Sequence, residues 1–288
     1  MRHGRLVLAL PCSLMVGLAL SGCGNDGPYR CPAATVVNCG HRGTGMNADE
    51  NAFPENTLPS FAQGEIEGAQ MIELDVQHSA DGALVVLHDD TVDRTTDGTG
   101  CVGDLALADL QALDAAAGTG LAGTGVTLPT LAEALQAITV DVNVEIKLTG
   151  SASCPAADRE RLAADVVAAI ATDGGARRII VSSFDLDVLK AVQQRDPSLY
   201  LGYLTLLIDD AAVAADEGFA AVHLIGGLYA PDDLAAIGDL GIDVNVWTVN
   251  EAALMRDYFG AGVGAIITDE PDLLETTRTA YCTELCGP

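Results

Sequence analysis

The sequence is short of cations. It sets 14 lysines and arginines against 41 aspartates and glutamates, for a formal charge of −27, and only two of the cations are lysines, Lys147 and Lys190. A chain so acidic repels nucleic acid and anionic headgroups, and no basic stripe offsets the repulsion, so nucleic acid is not an expected partner. No cysteine pair has Cys-x-x-Cys spacing and no histidine follows at finger distance, which argues against a zinc module. No glycine-rich nucleotide turn follows an early strand, which argues against a doubly wound sheet. The longest apolar run, Leu6 to Leu20, is too short to cross a bilayer.

That run has another reading. Arg2 and Arg5 precede it and small residues end it, the layout of a secretory signal over residues 1–22. Leu20-Ser21-Gly22-Cys23 looks like a bacterial lipobox, with Cys23 acylated as the first mature residue. Residues 23–34, rich in turn formers, then read as a lipid-anchored tether, and a single domain occupies 35–288. The expected location is therefore the periplasmic face or cell surface, at a membrane held through the anchor. Past Cys23, six cysteines remain for that oxidising compartment: Cys31, Cys39, Cys101, Cys154, Cys282 and Cys286. Up to three disulfides are expected, with the pairing open.

With 49% hydrophobic residues the chain can bury a large core. Nine short apolar runs, from Thr35–Cys39 to Gly264–Thr268, alternate with helical stretches such as Leu58–Gly68 and Arg159–Ala171, which predicts a parallel α/β fold. Nine runs exceed the eight places of a TIM-type (β/α)8 barrel. Between Val76 and Ala83 there is no room for a crossover helix, and Asp81-Gly82 reads as a two-residue hairpin turn, so 71–87 is expected to form a hairpin with one extra arm. In that register Asp75 lies opposite His88. Asn56 or Thr57 is the expected cap of the helix from Leu58.

Polar residues gather at strand ends, where barrel enzymes keep their chemistry. Glu73 and Asp75 share one strand face, and so do Glu145 and Lys147, because strand side chains alternate. Three converging carboxylates, Glu73, Asp75 and Glu145, call for a hard cation such as Ca²⁺ or Mg²⁺. His41 and His88 suit acid/base work near neutral pH, while Arg42 and Lys147 suit phosphate oxygens.

The same residues resemble the signature of the glycerophosphodiester phosphodiesterase family. The resemblance rests on His41-Arg42-Gly43, Pro54-Glu55-Asn56-Thr57, Glu73-Leu74-Asp75, His88-Asp89-Asp90-Thr91, Asp93-Arg94, Leu128-Pro129-Thr130-Leu131, Glu145-Ile146-Lys147, Ser182-Ser183-Phe184, Trp247-Thr248-Val249-Asn250 and Ile266-Ile267-Thr268-Asp269, all in family order. It implies a phospholipase C-like barrel and one divalent cation, Ca²⁺ or Mg²⁺. It also implies hydrolysis of glycerophosphodiesters to an alcohol and glycerol 3-phosphate. Residue by residue, it implies His41 and His88 as the acid/base pair, Glu73, Asp75 and Glu145 as metal ligands, Arg42 and Lys147 as phosphate contacts, and Trp247 on the rim beside the substrate. Two other readings stand beside it: a lysophospholipase D or phospholipase-like enzyme, marked by an exposed apolar rim, and a non-catalytic binding lipoprotein, marked by loss of a site residue.

Overall fold

The computed structural model describes residues 31–47, 52–148, 150–174 and 177–286. The expected signal, Cys23 and the first part of the tether lie outside them. The chain runs β1 (Val37–Gly40), α1 (Leu58–Ile66), β2 (Met71–His78), β3 (Leu84–Val86), α2 (Leu107–Leu110), α3 (Leu131–Ala137), β4 (Asp141–Ile146), α4 (Arg159–Asp173) and β5 (Ile179–Ser183). It continues through α5 (Leu186–Arg195), β6 (Tyr200–Thr205), α6 (Asp210–Asp216), β7 (Ala221–Ile225), α7 (Pro231–Ile237), β8 (Asp243–Trp247), α8 (Ala252–Ala261), β9 (Ala265–Thr268) and α9 (Pro271–Cys286). Eight strands pair in parallel in the order β1-β2-β4-β5-β6-β7-β8-β9, and the β9–β1 pairing closes the barrel. Strand β3 is the extra arm, antiparallel to β2.

Alternation along the strands separates two environments. Ile72, Leu74 and Val76 of β2, with Val142, Val144 and Ile146 of β4, enter the large core between barrel and helices. Met71 joins Cys39, Ile180 and Ile267 in a separate apolar cluster. By the same period of two, Glu73, Asp75 and Glu145 share the barrel-interior face with Met71. A capping box starts α3, with Thr130 Oγ1 accepting from the Glu133 N–H and Glu133 Oε2 accepting from the Thr130 N–H at 2.8 Å.

The structure corrects the expectations in four places. The β2–β3 register pairs Val76 with Val86 and His78 with Leu84, so Asp75 faces Leu87 instead of His88. The turn has three residues between Ser79 and Ala83, with Gly82 at φ +82, and each added turn residue shifts the pairing by one. Neither Asn56 nor Thr57 caps α1 through its side chain. Residues 31–34 of the expected tether belong to the fold, since Ala33 is fully buried and Cys31 is bonded to Cys282 of α9. Cys39 forms no disulfide: it points into the closed barrel among Met71, Ile180 and Ile267, a cluster that holds no second cysteine among the described residues. Cys101 bonds Cys154, which ties the loop after β3 to the loop after β4, and Cys286 is disulfide-bonded as well.

Candidate active site

Every candidate residue within the described part of the chain except Cys39 and the disulfide cysteines lies at the strand C-terminal rim. His41 and Arg42 follow β1, Glu73 and Asp75 sit in β2, His88 follows β3, Glu145 ends β4 with Lys147 beyond it, and Trp247 ends β8.

The backbone turns sharply after β1. Arg42 holds a left-handed φ of +51° and Gly43 one of +98°, where a Cβ on residue 43 would strike Ser60. The turn aims the Arg42 N–H at Glu73 Oε2, 2.9 Å away. The guanidinium meanwhile donates to Glu55 Oε1 at 2.7 Å, lies 3.5 Å from Asp75 Oδ2, and donates through Nε to His41 Nε2 at 3.2 Å.

Glu73, Asp75 and Glu145 each offer an oxygen within 4.8 Å of the others, the one such trio of potential metal donors among the described residues. Glu73 Oε1 and Asp75 Oδ1 are buried without a hydrogen-bond partner. Orphaned carboxylate oxygens in a buried pocket are costly unless a cation meets them, so the donor set fits a hard divalent ion. Burial raises the Glu73 carboxyl well above the usual range, and repulsion from Asp75 and Glu145 adds to it. Burial raises Glu145 too, with Lys147 opposing. Burial also pushes Asp75 upward, but Arg42, Lys147 and His88 outweigh it and hold Asp75 low. Lys147 Nζ stands 2.7 Å from Glu145 and 3.8 Å from Asp75.

Despite the shifted register, a positive charge on His88 would favour the ionised forms of Asp75 and Glu145. Both histidines are held by a carboxylate through Nδ1. His41 meets Asp269 at 2.6 Å and His88 meets Asp89 at 2.7 Å. Asp269 in turn accepts from Asn250 Nδ2 at 2.7 Å, and Asp89 accepts from Arg94. Because Arg42 Nε donates to His41 Nε2, that nitrogen is the acceptor and the His41 ring carries its proton on Nδ1, toward Asp269.

Asp269, Asp89, Glu55 and Arg94 support the site and have no role that the sequence alone suggests, and Asn56, expected only as a helix cap, joins them; each lies within a family motif. Asn56, at φ +57°, donates to Asp75 Oδ2 at 2.8 Å and accepts from the Asp75 N–H, clamping that carboxylate. Glu55 is fully buried and shared by Arg42, Arg94 and the Asn47 N–H. Burial would raise its carboxyl, but the bonds from Arg94 and the charge of Arg42 outweigh it and hold it low. The stability it contributes is therefore present above the unfolded carboxylate range and lost as pH falls below it. Glu55→Gln is expected to cost about 3 kcal/mol, because it removes the buried charge that Arg42 and Arg94 share, and urea unfolding at neutral pH measures the loss.

Trp247 sits half-buried on the rim, its Nε1 donating to the His223 carbonyl and its ring meeting Phe184 edge-on at 5.4 Å. His223 itself lies deep in the barrel, bonded to Asn245, and burial lowers it to about 3, so it stays neutral. His78 pairs with Asp165 at the hairpin, away from the rim.

Phosphate-ester chemistry needs cations for the phosphate oxygens beside groups that move protons, and one rim of this barrel supplies both. Fold and rim define a phospholipase C-like barrel phosphodiesterase. Residues 41–273 match the model of the glycerophosphoryl diester phosphodiesterase family, and the chain belongs to that family. It is 35% identical over 239 residues to a glycerophosphodiester phosphodiesterase of Caldanaerobacter subterraneus, covering 81% of this chain and 94% of that protein. Over 106 residues, 36% of this chain and 30% of the relative, it is 40% identical to human glycerophosphodiester phosphodiesterase 1. Among solved structures it is similar to an Oleispira antarctica phosphodiesterase in complex with the product sn-glycerol-3-phosphate. That match has TM-score 0.75 and 27% identity, and covers 83% of this chain and 95% of the other. A Thermotoga maritima glycerophosphodiester phosphodiesterase matches with TM-score 0.65 and 28% identity, over 84% and 97% of the two chains.

Proposed function

We propose that the protein hydrolyses glycerophosphodiesters to an alcohol and sn-glycerol 3-phosphate, with a divalent cation and a histidine pair. The observation that carries this reading is the carboxylate trio, two of whose buried oxygens lack a hydrogen-bond partner, on the same rim as two histidines that are each oriented by a carboxylate. The product complex of the similar Oleispira enzyme supports the choice of product.

Glu73, Asp75 and Glu145 would hold the ion, Ca²⁺ or Mg²⁺, which when bound neutralises phosphate charge. Arg42 and Lys147, already at the trio, turn toward the phosphodiester oxygens. As Arg42 turns, its Nε–H leaves His41 Nε2, and that nitrogen takes a proton from the attacking hydroxyl, either water or the substrate's own neighbouring hydroxyl. His88 donates a proton to the oxygen of the departing alcohol as its bond to phosphorus breaks. If the first attack is internal, a cyclic phosphate forms and water opens it with the two histidines exchanging roles. The reading as a non-catalytic binding lipoprotein finds no support in the site, since every expected residue of the histidine pair and the carboxylate trio is present.

The same proposal makes the protein an exported bacterial lipoprotein held to a membrane face through Cys23. Two disulfides joining described residues support an oxidising compartment.

The test is release of choline and glycerol 3-phosphate from glycerophosphocholine. Turnover that disappears with EDTA and returns with Ca²⁺ or Mg²⁺ is the expected result. Turnover indifferent to the chelator would remove the metal from the reading.

A further inference from the structure

The two histidines are held with unequal security. His41 follows β1 and its partner Asp269 follows β9, two strands that pair with each other, and the side chains are 12% and 19% exposed. His88 and Asp89 stand side by side on the loop after β3, the arm outside the ring, and are 32% and 27% exposed. A ring one-third open to water has little packing to choose its rotamer, so hydrogen bonds have to fix it. The bond from His88 Nδ1 goes to the next residue of the same loop, so the pair needs an anchor from elsewhere.

Arg94 supplies it. Its Nε and Nη2 donate to Asp89 Oδ2 and Oδ1 at 2.7 and 2.9 Å, while Nη1 and Nη2 donate to Glu55 Oε2 and Oε1 at 2.7 and 2.8 Å. A planar guanidinium can fork two carboxylates at once, which the single nitrogen of an ammonium cannot.

The anchor is itself fixed at both ends. Glu55 is buried and also accepts from Arg42 Nη1 and the Asn47 N–H. Around residue 94 the backbone closes a turn, in which the Thr96 N–H and hydroxyl both donate to the Val92 carbonyl, at 3.1 and 2.7 Å. Val92 packs with Leu87, Val102 and Leu110 in a small core of its own. The bonds from His88 and Arg94 hold the Asp89 carboxyl low, so it stays an acceptor. With Nδ1 occupied, Nε2 is the nitrogen of His88 left to deliver a proton.

We propose that Arg94 is the positioning residue for the general acid: by bracing Asp89 against the buried Glu55 it sets the direction in which His88 Nε2 delivers its proton, and so decides how basic a leaving alcohol the enzyme can expel. The inference rests on the phosphodiesterase reading above. As the bond between phosphorus and the alcohol oxygen breaks, its electron pair stays on that oxygen, the proton of Nε2 joins it, and the ring of His88 is left neutral. The alkoxide of choline is a strong base and departs only with that proton. The anion of p-nitrophenol is a weak base and departs without it.

The experiment compares glycerophosphocholine with the p-nitrophenyl ester of glycerol 3-phosphate, which share the glycerol phosphate and differ in the leaving group. Single-turnover release of choline and of nitrophenolate by the full-length protein, with Ca²⁺ or Mg²⁺ present, reads the bond cleavage itself. In Arg94→Ala the rate constant for choline release at saturating enzyme should fall by about 10–100-fold, part of what a general acid supplies, with the half-saturating concentration little changed. Nitrophenolate release should stay close to the wild-type rate. Arg94→Lys keeps a cation beside Glu55 but loses the double fork, and should show the same bias between the two esters. Equal losses on both esters in the two variants, or choline release as fast as in the wild type, overturn the inference and spare the phosphodiesterase reading. Absence of release from both esters by the wild type overturns the phosphodiesterase reading itself, and the inference with it.

Discussion

His41→Ala and His88→Ala are each expected to lower kcat on glycerophosphocholine by about 10²–10⁴-fold with the fold retained, as measured by steady-state kinetics beside circular dichroism. The expectation follows from how the rings are held. His41 and His88 are each fixed at Nδ1 by a carboxylate, so each has one nitrogen for the pocket and one for its support. Alanine removes the proton carrier but leaves the trio, Arg42 and Lys147 in position. The two losses should not add: if base and acid act on one displacement, the double variant is hardly worse than either single one. Asp269→Asn tests the support separately. An amide at that position no longer stabilises the charged ring that forms when His41 takes a proton, so kcat should fall while KM changes little. Near-normal rates for either alanine variant would remove that histidine from the mechanism.

The second large effect concerns the cation. The chelated protein keeps three crowded carboxyl groups whose ionisation opposes one another, and Glu73→Gln removes the one that burial and repulsion disfavour most while its amide oxygen still accepts from the Arg42 N–H. The variant should therefore be inactive and yet melt higher than the wild type in EDTA, by about 2–4 °C for each kcal/mol relieved in a domain of this size. The sign follows from the raised Glu73 and Glu145 carboxyls. A folded-state acid raised by burial and repulsion favours the fold while protonated, and that stability is lost as pH rises from the unfolded carboxylate range through the raised value. The advantage of the variant should thus widen from pH 5 to pH 8 in EDTA. Adding Ca²⁺ or Mg²⁺ should reverse the order, because an ion bound only by the folded wild type stabilises it by about 2.7 kcal/mol at a hundred times Kd. A thermal melt with and without metal reads both. A variant that melts lower than the wild type in EDTA would mean that the trio is not under strain.

The two predictions rest on different kinds of information. Nine strands, the extra hairpin arm, the strand-end carboxylates and the histidines were all legible in the sequence. Period-two alternation, an absent crossover and an Asp-Gly turn act over a few residues, and each states its consequence locally. The hairpin register marks the limit of such reasoning: the same dipeptide fits a two-residue or a three-residue turn, and the choice moves Asp75 from His88 to Leu87.

What the tertiary structure alone decided is who supports whom. His41 meets Asp269 across 228 positions of chain because β9 closes onto β1. Cys39 looked available for a disulfide until closure put its side chain inside the barrel. Asn56 looked like a helix cap until a left-handed turn aimed it at Asp75. The sequence by itself determined the strands, the helices and the residue types at the mouth, since these depend on neighbours in the chain. Partners, register and exposure depend on the closing of an eight-stranded ring, which no local segment contains.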